Sequence, residues 1–560
     1  MSAAFSPRPP KFIGVPIPRL LGLNEDENPA ALRPGELTIA LNSYRRGQMR
    51  GTRPGCLRDP DVYTASMTGP IQGIVEFPRS NGAAKSRVVV ENGVVKAATA
   101  GNLNGALTFN TSALWCFAQD ADVIYGAGGT LDDDFWYWDG SAGSIVAVPI
   151  LSLAATAIYP SYAFPKWNRL WTCRFRDGSG AISTDLSSNP MVYRYSGLRL
   201  PLVWPTGNTI GGTGIGGLPA YGNEWATGYG EFTDGTGDWL LLLTNRRLYA
   251  VSQTGDSLAP FAVSERSAIA NGCVSQRAFV SLGLDSGDAV YLSHRGIHSL
   301  RQSQEFGGVE KTFLSWKIRR TFATLNQSAI EASVGAYDPR LGIVVFWVPT
   351  GSSTSPDLGL VLDVKDKSNL TAENAEWDFW TLGTTGNDAL VTALASGTDS
   401  NGSPFIYLGN KGGDVGRFDP DSGADFGSGY HVQMRLKHED YGLFSQSKQV
   451  GNWFVNLQPG GNYMPRARIL YDYGTRGTGS YSLPMPLTGD LLGSTFILGT
   501  SLLAPEEITV QSKQYGEGAG QTISFEFEHN SPDEPFYVGT VSPEISIFGA
   551  QWPGAGAGSE

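Results

Sequence analysis

Histidine is the side chain best suited to proton transfer and metal binding, and this chain contains few of them. The five histidines are His294, His298, His431, His438 and His529. None stands in the H-E-x-x-H or H-x-H spacing with which neighbouring histidines bind zinc. His294 and His298 are four residues apart, but the Arg-Gly pair between them indicates a turn rather than a shared helix face. We therefore interpret the histidines as structural residues.

Candidate nucleophiles are equally sparse. The chain has no G-x-S-x-G motif, which argues against a serine hydrolase of the α/β type. The four cysteines are Cys56, Cys116, Cys173 and Cys273. They are far apart and form no C-x-x-C pair, so neither a disulfide framework nor a thiol active site is indicated. We expect reduced thiols in a protein made in a cytosol.

A glycine-rich stretch around residue 214 matches the spacing of a phosphate-binding loop. Gly212, Gly214 and Gly217 fit G-x-G-x-x-G, but Pro219 and Gly222 prevent the helix that a dinucleotide site requires. The sequence favours a flexible loop, which we take as a candidate gate at the mouth or lumen of a channel. Its candidate gate residues are Gly211, Gly212, Gly214, Gly216 and Gly217.

Aspartates cluster in two places. One group is Asp132, Asp133 and Asp134, and the other is Asp419, Asp421 and Asp425. Each resembles part of a calcium loop but lacks the full oxygen ligand set, so solvated turns are favoured over a structural calcium. A glycosidase needs two carboxylates across a cleft, and sequence spacing does not place them. We predict no catalytic residue, no metal and no cofactor, and expect a protein that is not an enzyme.

The composition indicates a large β-rich protein. Of its 560 residues, 71 are glycine and only 17% are charged, which disfavours long charged helices. Hydrophobic residues make up 41%, enough for a substantial core. A net charge of −12 argues against tight wrapping of nucleic acid, although passive contact with DNA stays open. The N-terminal residues lack the apolar region of a signal peptide, and no apolar run is long enough for a membrane anchor.

Short apolar runs separated by turn residues continue from about residue 65 to 425, the pattern of many small hairpins. Three clear examples are WLLLLTNRRLYAVS, AVYLSHRGIHSL and FIYLGNKGGDVGRFD. Successive hairpins of this kind are spaced by roughly 50 residues, with one much longer interval, which fits propeller blades of about 40–50 residues with insertions. No WD40 signature is present. The best helical candidate is Lys311–Phe322. We therefore predict an all-β fold, a β-propeller with an additional C-terminal antiparallel β-sandwich or barrel and an extended N-terminal arm.

The predicted domain limits follow from changes in composition and in the length of the apolar runs. Residues 1–60 are rich in proline and arginine and are predicted to form an extended arm that docks on an acidic surface or is simply solvated. Its candidate partner contacts are Arg45, Arg46, Arg50 and Arg53. Residues 61–427 are predicted to form the propeller, 428–550 the sandwich with longer alternating strands, and 551–560 a flexible tail.

Residues 22–56 read GLNEDENPAALRPGELTIALNSYRRGQMRGTRPGC. This Gly-Leu-Asn start, Pro-Gly-Glu turn, strand ending in Asn and Arg-rich return to Arg-Pro-Gly resemble tailed-phage virion proteins. The similar family is the tail nozzle of short-tailed phages, also called tail tubular protein B or packaged-DNA stabilisation protein. The hairpins above look like its blade strands, and GEGAGQTISFEFEHNSPDEPFYVGTVSPEISIFG looks like its closing sheet. The likeness extends over nearly the whole chain, but its motifs are diffuse.

The resemblance implies a homohexameric ring in the virion tail that retains packaged DNA and lets it pass during ejection. It implies an adaptor above the ring, fibre, spike or needle proteins below, double-stranded DNA in the lumen and assembly in the host cytoplasm. The family offers no catalytic residue to carry over, and this chain is shorter than the large nozzles. Two alternatives stay open at this stage: a receptor- or glycan-binding tail-tip propeller, and a polysaccharide hydrolase.

Overall fold

The structure is a computed structural model that describes residues 12–547 apart from several internal segments. The segments outside the description are 60–66, 80–84, 99–100, 129–132, 142, 152–156, 177–190, 205–212, 219–221, 235–236, 257–259, 266–271, 284–287, 302–312, 367–369, 400, 444, 460–463, 484–509 and 532–534. The predicted tail, 551–560, and the glycines Gly211 and Gly212 therefore lie outside the described residues.

The chain divides into two compact units. Unit 1 contains residues 1–55, 376–383 and 420–560, and unit 2 contains residues 56–375 and 384–419. The predicted boundaries at 60 and 427 lie close to two of these divisions. The N-terminal segment, however, is grouped with the C-terminal segment instead of standing alone as an arm. The piece 376–383 was also not anticipated, since the sequence places it inside the propeller.

Unit 2 contains six small antiparallel sheets and one further antiparallel set of three strands within the described residues. Their strands, in order, are: sheet A, Ile71–Phe77, Ser86–Glu91, Val94–Ala97, Gly101–Asn102; sheet B, Cys116–Asp120, Val123–Ala127, Trp136–Trp138, Val146–Ala147; sheet C, Ile150–Leu151, Ala157–Lys166, Arg169–Arg176, Val192–Tyr195, Gly214–Gly217; sheet D, Ala226–Asp234, Gly237–Thr244, Leu248–Gln253, Phe261–Glu265; sheet E, Phe279–Ser281, Ala289–Leu292, Ile297–Ser299; set F, Val334–Asp338, Ile343–Val348, Leu358–Asp363; sheet G, Val391–Thr398, Pro404–Asn410, Val415–Asp419, Gly55–Arg58.

These sheets follow one another around a closed ring. Each sheet contacts the next one through corresponding strands. In sheet C this strand is Ala157–Lys166, and in the other sheets and in set F it is the first strand. The circuit ends where Val391–Thr398 of sheet G contacts Ile71–Phe77 of sheet A. Such a ring of small twisted sheets is a β-propeller, so the predicted all-β propeller fold is confirmed.

Apolar residues on both faces of each sheet explain why the sheets stack. The run Leu240–Leu243 in sheet D is completely buried, because alternate side chains point into the interfaces with the two neighbouring sheets. Between sheets A and B, Phe77 and Val88 pack with Trp115 and Trp136 in one core cluster. A blade of this kind is stable only between neighbouring blades. This is the physical reason why apolar runs and turns recur along the sequence.

Unit 1 contains two sheets formed by strands from both ends of the chain. Sheet H has the order Ser43–Arg46, Met49–Thr52, Phe536–Ile547, Lys448–Pro459, Val510–Tyr515, with Ile13–Gly14 and Ala519–Gly520 at its sides. Sheet I, within unit 1, has the order Trp377–Trp380, Leu37–Leu41, Val432–Leu436, Ile523–His529, Arg466–Tyr471, Arg476–Gly477, with Tyr481–Ser482 paired to Arg466–Tyr471.

The two sheets of unit 1 pack as a sandwich. The Trp453 ring of sheet H lies 5.2 Å from the ring of Phe525 in sheet I, measured between centroids. One residue, Asn42, joins Leu37–Leu41 of sheet I to Ser43–Arg46 of sheet H, and its φ of 52° turns the chain from one sheet to the other. Asparagine tolerates this left-handed conformation better than most residues.

Helical structure in the described residues is limited to short elements, of which the two at 314–322 follow one another directly. The described 3-10 helices are Gln276–Ala278, Leu314–Ile318, Ile330–Ala332, Gly386–Ala389 and Asp472–Gly474, and the α-helix is Arg319–Phe322. Two of these elements fall within the helical candidate Lys311–Phe322. In the described part of the chain, none of the helices has the length and apolar character that crossing a membrane requires.

Acid is expected to destabilise unit 2 through His298. This histidine is buried between Tyr291 and Phe313, and its Nε2 lies 2.8 Å from Ser293 Oγ. Burial lowers the pKa of His298 to about 3. Below the ordinary histidine pKa of about 6.5, His298 is protonated in the unfolded chain but stays neutral in the folded chain. The free energy of unfolding therefore decreases as the pH is lowered.

For this single residue we expect a loss of about 2 kcal/mol between pH 7 and pH 5. His298→Phe keeps an aromatic ring in place and should remove that part of the pH dependence, as measured by urea unfolding at both pH values. His294→Gln is the matched control, because the His294 side chain is exposed. An identical pH dependence in the wild-type chain and His298→Phe would contradict this account.

Candidate functional site

The four leader arginines do not form one exposed patch. Arg46 is exposed and lies over the Tyr537 ring, and Arg45 is half-buried, with Nη1 3.3 Å from Glu376 Oε1. Arg50 and Arg53 are fully buried. The structure therefore removes Arg50 and Arg53 from the predicted partner contacts, because neither guanidinium reaches the surface of unit 1. Arg46 keeps the exposure that a partner contact needs.

Both buried arginines bind carboxylates inside unit 1. Arg50 Nη2 lies 2.8 Å from Glu376 Oε2, and Arg50 Nη1 also bonds Asp378. Arg53 Nη1 lies 3.0 Å from Asp425 Oδ1, and its Nη2 bonds the second oxygen of the same carboxylate. Burial raises the pKa of Asp378 to about 6, while Arg50 and the Ser43 hydroxyl favour its charged form. These pairs explain why residues 376–383 belong to unit 1.

Asn42 connects this ionic centre to the corner between the sheets. Its Oδ1 accepts hydrogen bonds from Arg53 Nε at 3.0 Å and from the backbone N–H of Thr381 at 2.8 Å. Its Nδ2 donates to Thr381 Oγ1 at 3.0 Å and to the carbonyl of His431 at 2.7 Å. The side chain thus uses its full hydrogen-bonding capacity, which fixes the geometry of the strand switch.

Removing a buried arginine of unit 1 is expected to cost far more than removing the exposed one. Arg53→Met leaves Asp425 as a buried charge without its partner and should reduce the free energy of unfolding by about 3–5 kcal/mol. Arg46→Met should change it by less than about 0.5 kcal/mol. Chemical denaturation of the full chain measures both. Equal effects of the two substitutions would contradict the structural role assigned to Arg53.

The predicted gate loop is a strand where the structure describes it. Gly214, Gly216 and Gly217 lie in Gly214–Gly217, the edge strand of sheet C, and are antiparallel to Val192–Tyr195. Tyr193 and Tyr195 are directly opposite Gly216 and Gly214. A Cβ added to Gly216 would lie 2.2 Å from Tyr193 Cζ, so the missing side chain makes room for the tyrosine ring. Gly214 and Gly216 thus allow tyrosine rings of the neighbouring strand to pack over them, which is a structural role and not that of a flexible gate.

A side chain at position 216 should therefore destabilise sheet C. We expect Gly216→Val to lower the free energy of unfolding by about 1–3 kcal/mol, because the new methyl groups overlap the Tyr193 ring. Gly143→Val is the control, since the closest atom to a Cβ there is Ser141 Oγ at 3.5 Å. Urea unfolding curves distinguish the two variants. A neutral Gly216→Val would instead favour the loop that the sequence suggested.

The clustered aspartates bind protein groups. Asp133 is buried, and its Oδ1 accepts a hydrogen bond from the backbone N–H of Asn110 at 2.7 Å. Asp419 lies 3.4 Å from Arg417, and Asp425 belongs to the Arg53 pair. Asp132 lies outside the described residues. No group of three metal-binding side chains was found among the residues that the structure describes. The cysteines Cys56, Cys116, Cys173 and Cys273 are buried free thiols.

A cavity of about 210 Å³ that is open to solvent lies in unit 2, among the strands that form the inner circle of the propeller. Sheets A, B, E and G and set F all contribute to its walls. The residues that line it include Ile74, Cys116, Phe117, Arg277, Phe279 and Leu394. A second cavity of about 260 Å³ is lined by apolar residues such as Ile71 and Leu114, by several serines and threonines, and by Lys411. Thr392 lines the second cavity and is adjacent to Ala393, which lines the first.

Arg277 is the charged residue among those that line the first cavity. It lies in the single turn Gln276–Ala278, which Ser275 caps by accepting a hydrogen bond from the Arg277 backbone N–H. Gln276 fixes this turn by donating to the carbonyl of Ala163 at 3.0 Å and accepting from the Tyr229 N–H at 3.2 Å. The Arg277 Nη2 group donates to the carbonyl of Thr392.

Sequence reasoning did not identify Arg277. It stands in a short segment, CVSQRAFV, without a motif or a charge cluster. Its position in the cavity depends on five sheets that meet only when the ring closes. The available signal was weak: an arginine immediately before a predicted blade strand in a chain with few charges.

Comparison with known proteins gives structural neighbours only. No protein family and no curated protein matches the chain. Raptor from Chaetomium thermophilum is similar at 9% identity with a TM-score of 0.36, over 66% of this chain and 28% of that chain. The chain thus matches little more than a quarter of Raptor.

Two of the similar structures are glycosidases. An exo-β-1,3-galactanase from Phanerochaete chrysosporium matches at 9% identity and a TM-score of 0.24, over 76% of this chain and 95% of that chain. A family 43 arabinoxylan arabinofuranohydrolase from Bacillus subtilis matches at 8% identity and a TM-score of 0.22, over 93% and 98%. At such identities the likeness concerns the fold alone. None of the three proteins is described as a tail protein.

The expectation that this chain is not an enzyme is corrected by these neighbours, since two of them are glycosidases. The expectation rested on missing motifs, including the absence of any predicted catalytic residue. Motif absence is a poor criterion for a propeller, because catalytic carboxylates in a glycosidase act as a pair across a cleft and here would come from distant sheets. We therefore withdraw that expectation, and the low similarity assigns no activity to this chain.

Proposed function

We propose that this chain is a structural subunit of a phage virion tail, of the tail nozzle type, whose copies form a ring-shaped conduit for DNA. The observation that carries the proposal is the placement of the leader motif. The residues on which the nozzle resemblance rests, including Asn42, Arg50 and Arg53, form the buried ionic centre of unit 1. A resemblance through residues that hold a fold together supports a shared architecture more strongly than one through exposed residues.

The charge balance supports passage of DNA rather than its retention by binding. A net charge of −12 repels phosphate groups on average, so a conduit made of such subunits offers DNA little attraction. A ring of identical subunits also satisfies the general preference of homo-oligomers for closed symmetry. We expect a homohexamer that assembles on an adaptor ring in the host cytoplasm and carries fibre, spike or needle proteins at its far end.

Arg46 is the leader residue best placed to contact the adaptor. It lies at the end of Ser43–Arg46, next to the turn that leads to Met49–Thr52, and its side chain is exposed. A guanidinium at this position can bind an acidic surface without breaking an ion pair with any described residue of unit 1, since the contact it makes there is with the Tyr537 ring. Arg45 contributes less, because its guanidinium already lies beside Glu376.

The decisive measurement is the mass and symmetry of the full chain, alone and mixed with the adaptor ring of the same phage. Light scattering and negative-stain images should show a sixfold ring with a central hole, at least in the mixture. Arg46→Glu should weaken assembly on the adaptor about 10-fold, because it reverses a charge at the proposed contact. Arg246→Glu, an exposed substitution in unit 2, is the control and should leave assembly unchanged.

A chain that stays monomeric with its adaptor would refute the nozzle proposal. Glycan-array binding by that monomer would favour the tail-tip propeller instead. Assembly that is insensitive to Arg46→Glu would leave the nozzle in place but exclude Arg46 from the contact. These outcomes separate the overall function from the residue assigned to it.

A further inference from the structure

Arg277 is half-buried, and its Nη1 group is enclosed by protein. Among the described residues Nη1 has no hydrogen-bond partner, while Nη2 donates to the carbonyl of Thr392. In the described part of the chain, no carboxylate forms an ion pair with it. Arg50 and Arg53, which are buried beside carboxylates, show how this chain compensates an enclosed guanidinium when the role is structural.

The groups next to Arg277 do not supply the missing negative charge. Its electrostatic neighbours are Cys116 and Tyr162. Burial raises the pKa of Cys116 to about 12 and raises that of Tyr162 as well, so both are neutral at physiological pH. The carboxylate of Glu331, an electrostatic neighbour of Tyr162, is bound to Arg174, whose Nη1 and Nη2 each lie 3.2 Å from Glu331 Oε2.

The cavity around Arg277 has room for an organic molecule. Its volume of about 210 Å³ exceeds the roughly 150 Å³ of an apolar cavity that holds benzene. Val75, Phe117, Phe279 and Leu394 line it with apolar surface and are only partly buried. An apolar wall with a single charged group is the usual form of a small-molecule site, in which the polar group fixes the orientation of the ligand.

We propose that this cavity binds a small organic anion, with a carboxylate or phosphate group on Arg277 and a ring-sized body against the apolar wall. A guanidinium presents parallel N–H groups that match two oxygens of such an anion. Nη1 is a donor without a partner among the described residues, so an oxygen of the anion would supply the acceptor that it lacks. This inference goes beyond the proposed tail function and does not depend on it.

The test is calorimetric titration of the full chain with four probes: benzoate, phenyl phosphate, benzyl alcohol and inorganic phosphate. We expect benzoate or phenyl phosphate to bind at least about 10-fold more tightly than benzyl alcohol, which has the ring but no charge. The stronger of the two anions identifies the head group. Inorganic phosphate should bind more weakly than phenyl phosphate, because it makes no contact with the apolar wall.

Two charge-neutralising variants make the result specific. Arg277→Gln should lose at least about 10-fold in affinity for the anionic probe, whereas Arg246→Gln, at an exposed position of the same unit, should bind like the wild-type chain. Without ligand, Arg277→Gln should unfold at the same temperature as the wild-type chain or higher, because it removes a half-buried charge that forms no ion pair with a described residue. That measurement also shows that the variant is folded.

Three results would overturn the proposal: no binding of either organic anion, unchanged affinity in Arg277→Gln, or an equal loss in both variants. Binding of inorganic phosphate as tight as that of phenyl phosphate would overturn the assignment of an organic body. None of these results depends on whether the chain forms a ring with its adaptor, so the two proposals fail independently.

Discussion

Closure of the propeller ring is the constraint on which the rest of unit 2 depends. Sheet G is completed by Gly55–Arg58, a strand from near the opposite end of the chain, and the Asp59 N–H donates to the carbonyl of Val415 at 3.2 Å. Sheets A and G are then joined by the buried pair of Arg87 with Asp59 and by a hydrogen bond from Thr398 Oγ1 to Glu76 at 2.8 Å. The cavity exists only once these contacts form, since both sheets line it.

Local features were predictable from the sequence and long-range partners were not. Hairpins such as Gly237–Thr244 with Leu248–Gln253 are encoded by apolar runs on either side of a turn, so their existence and approximate limits agree with the structure. The leader was misread because the partners of Arg50 and Arg53 lie more than 320 residues away. The glycine strand was misread because nothing nearby in the sequence indicates that Tyr193 covers Gly216.

The arginines differ in their partners. Arg50 and Arg53 are buried, have carboxylate partners and belong to the packing of unit 1, whereas Arg277 is half-buried, lines a cavity in unit 2 and pairs with no carboxylate among the described residues. In a chain with only 17% charged residues, a buried cation is unusual enough to need a physical reason. For Arg50 and Arg53 that reason is an internal ion pair, and for the half-buried Arg277 we have proposed a bound anion.

The route of the chain has a consequence for its synthesis on the ribosome. Unit 1 needs residues from both ends, and the first strand to emerge in sheet G must wait until Val415–Asp419 has been translated before it finds its place. Pairing across such a separation is slow, and waiting edge strands are prone to aggregate. The nascent chain is therefore vulnerable for most of its translation, a period during which holding chaperones would matter more than they do for the finished protein.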